Sequence, residues 1–154
     1  MMDPLNAGAI CTRIVTITYP SMAVNEAARL MRERSVGCLV VVEQPSPDER
    51  IVVGMLTDRD IALGVVAADR DPHGMRVGDL MSRSVVTARE QDSMLDLLAA
   101  MRRKAVRRVP VTSAQGSLIG IVTQDDLVEV LAQQMQALAT AVGASQKHER
   151  TALP

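Results

Sequence analysis

Aromatic side chains are almost missing from this chain of 154 residues: it has one Tyr, no Phe and no Trp. That excludes base stacking on aromatic platforms, a usual grip on single-stranded nucleic acid. Net charge is nearly missing too. Lys plus Arg number 17 against 18 for Asp plus Glu, a formal charge of -1, so no bulk electrostatic hold on nucleic acid or on an acidic membrane is expected. Two cysteines, Cys11 and Cys38, make neither a disulfide framework nor a cysteine zinc site. Apolar runs such as Val36 to Val42 fall far short of a bilayer span. Residues 1–10 lack a basic segment followed by an apolar one, so no secretory signal is expected. A soluble, cytoplasmic protein is the expectation. With 15 of the 17 basic residues Arg rather than Lys, the composition suits a GC-rich bacterial genome.

Hydrophobic residues make up 47% of the chain and charged residues 23%, enough for a packed core. That core must be built from Val, Ile, Leu, Ala and the ten Met, a flexible filler. Self-comparison shows how the chain is organised. A shift of 70 places Ile10-Cys11-Thr12-Arg13 on Leu80-Met81-Ser82-Arg83, Met31-Arg32 on Met101-Arg102 and Val36 on Val106. Further on, a shift of 66 places Gly54-Met55-Leu56-Thr57-Asp58-Arg59-Asp60-Ile61 on Gly120-Ile121-Val122-Thr123-Gln124-Asp125-Asp126-Leu127. The length difference falls in a polar loop, Glu43 to Arg50 against Ser113 to Ser117, where an insertion is tolerated.

Each copy reads as β-α-β-β-α. Ile14 to Thr18 and Val85 to Ala88 are the expected first strands. Helices follow over 24–33 and 94–103, where Val24, Ala27, Ala28, Met31 and Met94, Leu97, Leu98, Met101 recur at helical spacing. Ser93 and Asp96 predict a capping box. Val36 to Val42 and Val106 to Thr112 are β-branched strands, answered by Ile51 to Leu56 and Leu118 to Val122, and a helix follows Thr57 and Thr123. The expected division is a first unit at 8–68, a linker at 69–76, a second unit at 77–133, and a helical extension with a frayed tail at 134–154. In the extension Val128, Leu131, Met135, Leu138 and Val142 form a heptad-like stripe. Packing on its own unit and contact with a second copy both account for that stripe.

The doubled pattern Gly-apolar-apolar-Thr-x-x-Asp, with a Val-rich strand before it and a helix after it, resembles the cystathionine β-synthase (CBS) domain. Two units in tandem resemble a CBS pair, or Bateman module, of the stand-alone bacterial type. Arg107-Arg108-Val109-Pro110-Val111 is also close to bacterial forms of the family's motifs. The resemblance spans roughly residues 8 to 133. It implies an α+β fold of two units packed through their sheets about a pseudo-two-fold axis, with two clefts between them. It further implies an adenosine-containing regulatory ligand (AMP, ADP, ATP, or in some members S-adenosylmethionine or NAD), a homodimer formed through the helices, and no catalytic activity. By the same resemblance Asp60 and Asp126 hold ribose hydroxyls, and Thr57 and Thr123 contact phosphate or ribose. Val36, Gly37, Val109, Pro110, Thr16, Ile17 and Thr87 are the strand positions nearest the ligand, with Thr87 matching either Thr16 or Ile17.

The residues themselves fit this chemistry. A carboxylate accepts both hydroxyls of a vicinal diol in charge-assisted bonds, and Arg59, Arg107 and Arg108 are suited to phosphate. Thr-x-x-Asp is equally a helix cap that needs no ligand, and one residue pair can serve both roles. The cluster Arg102-Arg103-Lys104 with Arg107-Arg108 likewise suits a helix C-terminus or a phosphate. The first copy has Gly37-Cys38 where the second has Arg107-Arg108, so the two clefts are expected to differ, with the arginine-lined one better for phosphate. Catalysis finds no footing. His73 and His148 fall in linker and tail, and neither Asp58 with Asp60 nor Asp125 with Asp126 shares a helix face to make a metal site. The competing reading is a ligand-free scaffold that regulates a partner protein by docking.

Overall fold

The computed structural model describes residues 5–152. Two three-stranded sheets carry the architecture. In the first, β1 (Ile17–Thr18) runs parallel to β2 (Cys38–Ser46), which pairs antiparallel with β3 (Glu49–Thr57). In the second, β4 (Ala88–Arg89) runs parallel to β5 (Arg108–Thr112), which pairs antiparallel with β6 (Leu118–Thr123). Two eleven-residue helices, α2 (Val24–Arg34) and α5 (Met94–Lys104), cross from first to second strand in each sheet. The α5 start is a full capping box: the Asp96 N–H donates to Ser93 Oγ at 3.1 Å and the Ser93 N–H to Asp96 Oδ2 at 3.1 Å. Both helices end on a left-handed residue, Ser35 and Ala105, each at φ 53°. The next N–H then reaches back to Met31 and Met101 carbonyls at 3.0 and 3.1 Å, which satisfies an otherwise orphaned acceptor.

Short helices precede each unit, α1 (Ala7–Ile10) and α4 (Val77–Leu80), and they exchange partners. Ala7 and Cys11 sit in the core of the second unit with Leu97, Met101, Val109, Val111, Val122 and Leu127. Val77 and Met81 sit in the core of the first with Ala27, Met31, Leu39, Val41 and Leu56. The exchange continues along the backbone. Thr12 and Ile121 trade N–H to carbonyl bonds at 2.9 and 3.0 Å, and Ser82 and Met55 do so at 2.9 and 3.0 Å. These pairs are equivalent under the sequence repeat, so the two units embrace each other reciprocally.

The motif glycines follow from this embrace. A Cβ on Gly120 would stand 2.8 Å from the Thr12 carbonyl, and one on Gly54 would stand 2.9 Å from the Ser82 carbonyl. Neither position has room for a side chain. Between the sheets, Val40, Val42 and Leu118 form a third buried cluster, joined by Val15, Ile17, Val52 and Ile121.

Several expected boundaries shift. The first strands are two residues long in each copy, so Ile14 to Thr16 and Val85 to Thr87 lie outside strand, and Ile14 is 89% exposed. β2 and β3 extend through the expected loop to Ser46 and from Glu49, a longer hairpin than composition suggested. After Thr57 the helix is brief. α3 (Asp58–Ile61) widens into a π-helical segment, Ala62–Val66, whose bonds include Ala67 N–H to the Ala62 carbonyl at 2.9 Å.

After Thr123 the opposite holds. α6 (Gln124–Ala152) is 29 residues long and continuous through the stretch from Gly143 that was expected to fray, whose last positions, 153 and 154, lie outside the described residues. Alanine and glutamine, both favourable in helices, are the commonest residues of α6. The stripe of α6 does not pack on its own unit: Val128, Leu131, Met135, Leu138 and Val142 are all exposed.

Candidate functional site

Both Thr-x-x-Asp segments fold as reciprocal caps. The Thr57 N–H donates to Asp60 Oδ2 at 2.9 Å, and the Asp60 N–H donates to Thr57 Oγ1 at 3.1 Å. The second copy repeats this with Thr123 and Asp126 at 2.8 and 3.2 Å. Each cap uses one carboxylate oxygen, Oδ2. Each motif also locks onto the residues before the second strand: the Asp58 N–H donates to the Gly37 carbonyl at 3.0 Å, and the Gln124 N–H to the Arg107 carbonyl at 2.9 Å. A Cβ on Gly37 would stand 2.9 Å from Asp58 Oδ2, the movable end of a side chain, and the second copy makes the same contact with Arg107 in the glycine's place.

The two copies diverge in what surrounds the caps. A cleft of about 420 Å³ brings Thr57, Arg59 and Asp60 of the first unit together with Val106, Arg107 and Arg108 of the second. Its size lies within the usual range for small-molecule sites, about 300–1,000 Å³. Cys38, Met55, Ser82, Ser84, Val85, Val86 and Ala105 complete its wall. The arginines thus share a cleft with Asp60, the residue in the other repeat. Arg107 and Arg108 also border a recess of about 170 Å³ with Thr123, Gln124 and Asp125, below that size range. Asp126 does not line the recess; it borders a separate groove between α1 and α6 with Leu5, Ala9 and Ile10.

The remaining expected site residues disperse. Val36 packs against the first unit's core, and Val109 is fully buried in the second's. The Val109 side chain therefore points away from the clefts. Ile17 belongs to the cluster between the sheets. Strand register resolves the alignment of the first strands. Thr18 pairs with Val41 and Ala88 with Val111, and those two partners sit opposite the motif glycines Gly54 and Gly120. Ile17, not Thr16, is therefore the counterpart of Thr87. Neither Thr16, Ile17 nor Thr87 lines the 420 Å³ cleft.

Pro110 acts through an absence. Its counterpart Val40 donates its N–H to the Thr16 carbonyl at 3.2 Å. Proline has no N–H, so that bond has no equivalent at Val86, a cleft-lining residue.

Cys38, which the sequence did not single out for the site, is part of the cleft wall. Burial pushes its thiol up to about 11, with Asp60 and Asp58 adding to the rise and Arg108 opposing it. Cys11 is also raised, by burial first, with the Arg13 charge opposing. Both are free thiols, protonated at neutral pH, so neither is an activated nucleophile. Among the described residues no group of three His, Cys, Asp or Glu side chains is placed to hold a metal ion. No helix there is long and apolar enough to cross a membrane.

The fold recurs among known proteins. The family model for the CBS domain matches twice, at residues 7–66 and 77–133. Hypoxic response protein 1 of Mycobacterium tuberculosis is 37% identical over 130 residues, 84% of this chain and 82% of that protein. An uncharacterized protein of Methanopyrus kandleri, MK0525, is 33% identical over 129 residues, which cover 84% of this chain and 64% of that protein. Among solved structures, Hypoxic Response Protein I with two coordinated zinc ions has a TM-score of 0.70 and 34% identity, covering 80% of this chain and 97% of that one. The cytosolic domain of the Mg2+ channel MgtE in complex with ATP has a TM-score of 0.71 and 25% identity, covering 84% of this chain and half of that one.

Proposed function

Since the chain belongs to the CBS-domain family, as a tandem pair, we propose that it is a non-catalytic regulatory sensor of an adenine nucleotide. AMP, ADP or ATP binds in the cleft that holds Asp60, Arg107 and Arg108. The observation that carries the reading is that cleft's composition. It sets a carboxylate from one repeat against two guanidinium groups from the other, in a volume of about 420 Å³. Asp60 accepts from the ribose hydroxyls, using the carboxylate oxygen its cap leaves over. Arg107 and Arg108, with Arg59 at the rim, take the phosphates. The Val86 carbonyl accepts from the adenine amino group. A neighbour of the same fold was solved with ATP.

A ligand held by both units stabilises one relative arrangement of them, and the shift is limited by the ligand's differential affinity for the alternatives. A homodimer formed through the helices passes that shift to a regulated protein. The first domain spans 8–68 and the second 77–133 in this reading, although each takes its leading helix from the other's stretch of chain.

The test is a thermal melt with and without AMP, ADP, ATP, NAD and S-adenosylmethionine. At 100 times its dissociation constant a ligand adds about 2.7 kcal/mol, a rise of roughly 5–11 °C at this size. Absence of any shift at millimolar ligand overturns the reading. The complete capping boxes at Thr57 and Thr123 favour a second reading, a ligand-free docking module, and that result would select it.

A further inference from the structure

Among the described residues the exposed stripe on α6 has no occupant. From Leu131 to Ala152 every residue of the helix is exposed, yet Val128, Leu131, Met135, Leu138 and Val142 lie on it at spacings of three, four, three and four. That spacing is a two-helix seam, with Val128, Met135 and Val142 at one core position and Leu131 and Leu138 at the other. An isolated helix gains nothing from such a seam, since most helical stability in proteins comes from packing an amphipathic face.

We propose that α6 is an arm that pairs antiparallel with α6 of a second copy of this chain. Charge sets both partner and orientation. No residue between Glu129 and Lys147 is charged. The positions beside the seam, Ala132, Gln134, Ala139 and Ala141, are small or neutral, so the arm neither repels its own copy nor offers a charge for a foreign helix to match. Its ends are opposite in net charge: Asp125, Asp126 and Glu129 lie at the start, and Lys147, Glu149 and Arg150, one net positive charge, near the finish. Antiparallel pairing sets the acidic end of one arm against the basic end of the other and opposes the helix dipoles. Parallel pairing stacks three acids on three acids.

The register that sets Asp126 opposite Lys147 of the other copy brings Leu131 against its Val142 and Met135 against its Leu138. The incoming end then lies along a groove of about 620 Å³ between α5 and the base of α6, lined by Leu95, Leu98, Ala99, Leu127, Val128 and Leu131. Leu95 is 71% exposed there, so the groove is open to receive it.

This inference rests on the self-association in the proposed function but not on nucleotide binding. The test is cross-linking of the full chain, with Leu131→Cys and Val142→Cys each expressed alone and both co-expressed on separately tagged chains, under mild oxidation. Wild type supplies the blank, because Cys11 is buried and Cys38 largely so. Antiparallel arms give a disulfide between the two variants. They give almost none within either variant, whose like positions stand about 16 Å apart along the seam, beyond disulfide reach. Cross-linking of a single variant with itself, no cross-link in the mixture, or a monomer in sedimentation at about 10 μM each overturns the arm. A nucleotide-dependent melt shift that survives those results leaves the sensor standing; loss of the shift with intact cross-linking does the reverse.

Discussion

Asp60→Ala and Asp126→Ala form a matched pair, because the two carboxylates make the same cap and face different surroundings. Each accepts from its motif Thr N–H, at 2.9 and 2.8 Å. Losing that acceptor at a half-buried cap costs about 1 kcal/mol, or roughly 2–4 °C in Tm for a chain of this size. Both variants should show that loss without nucleotide. With nucleotide they should part. At Asp60 the ribose loses two charge-assisted bonds, about 1.5–3 kcal/mol each, so affinity falls at least about 100-fold. A ligand at 100 times the wild-type dissociation constant then stabilises Asp60→Ala by only about 0.4 kcal/mol, against about 2.7 for wild type. Asp126→Ala should keep the full shift, because Asp126 borders the groove by α1 rather than the 420 Å³ cleft. Scanning calorimetry of the three proteins with and without ATP reads all of this. Equal loss of the shift in both variants refutes the assignment of the cleft. An undiminished shift in Asp60→Ala refutes the ribose contact.

Arg107→Ala with Arg108→Ala should flatten the ranking of AMP, ADP and ATP in isothermal titration, since those side chains meet the phosphates; an unchanged ranking places the phosphates elsewhere. Gly54→Ala should destabilise by about 1–3 kcal/mol in urea, because its Cβ would meet Met81 Sδ at 2.6 Å and the Ser82 carbonyl at 2.9 Å. A neutral result means the exchanged segment yields freely. Cys38, raised by burial to about 11, should react with iodoacetamide at pH 7.5 roughly 300-fold more slowly than a free thiol. Its folded value lies above its unfolded one, so its contribution to stability is full below about pH 9. That contribution is lost as pH rises toward 11, where the unfolded chain releases its proton first. A Cys38→Ser variant should lose part of the decline in that window, read by chemical denaturation at stepped pH.

Ala105→Gly should raise Tm by a few degrees, since glycine accepts the φ of 53° at which alanine is strained. An unchanged or lower Tm would show that the added chain entropy outweighs the relief.

Local chemistry was legible wherever a short stretch decides its own structure. The repeat, the helices expected at 24–33 and 94–103, and the cap at Ser93 are set by periodicity and by side chains three residues apart; each is present, the helices running one residue further. The caps made by the motif threonines and aspartates were also legible. Val109 was not: alternation along β5 turns it into the second unit's core, while the neighbouring Arg108 reaches the cleft. Cys38, Ser82 and Ser84 were missed because a thiol and two hydroxyls carry no spacing signal. Only the chain crossing between units brings them to the wall.

The sequence by itself determined a duplicated unit, its order of elements, its caps and the family to which it belongs, because these depend on neighbours a few residues apart and on a pattern written twice. Tertiary structure decided the rest. It exchanged α1 and α4 between the units, gave Gly54 and Gly120 their reason, and set Arg107 and Arg108 in the cleft with Asp60. The stripe on α6 was visible in the sequence, but its exposure among the described residues was not. Contacts between residues some 50 to 100 apart follow from how two folded surfaces fit, and no local pattern encodes that fit.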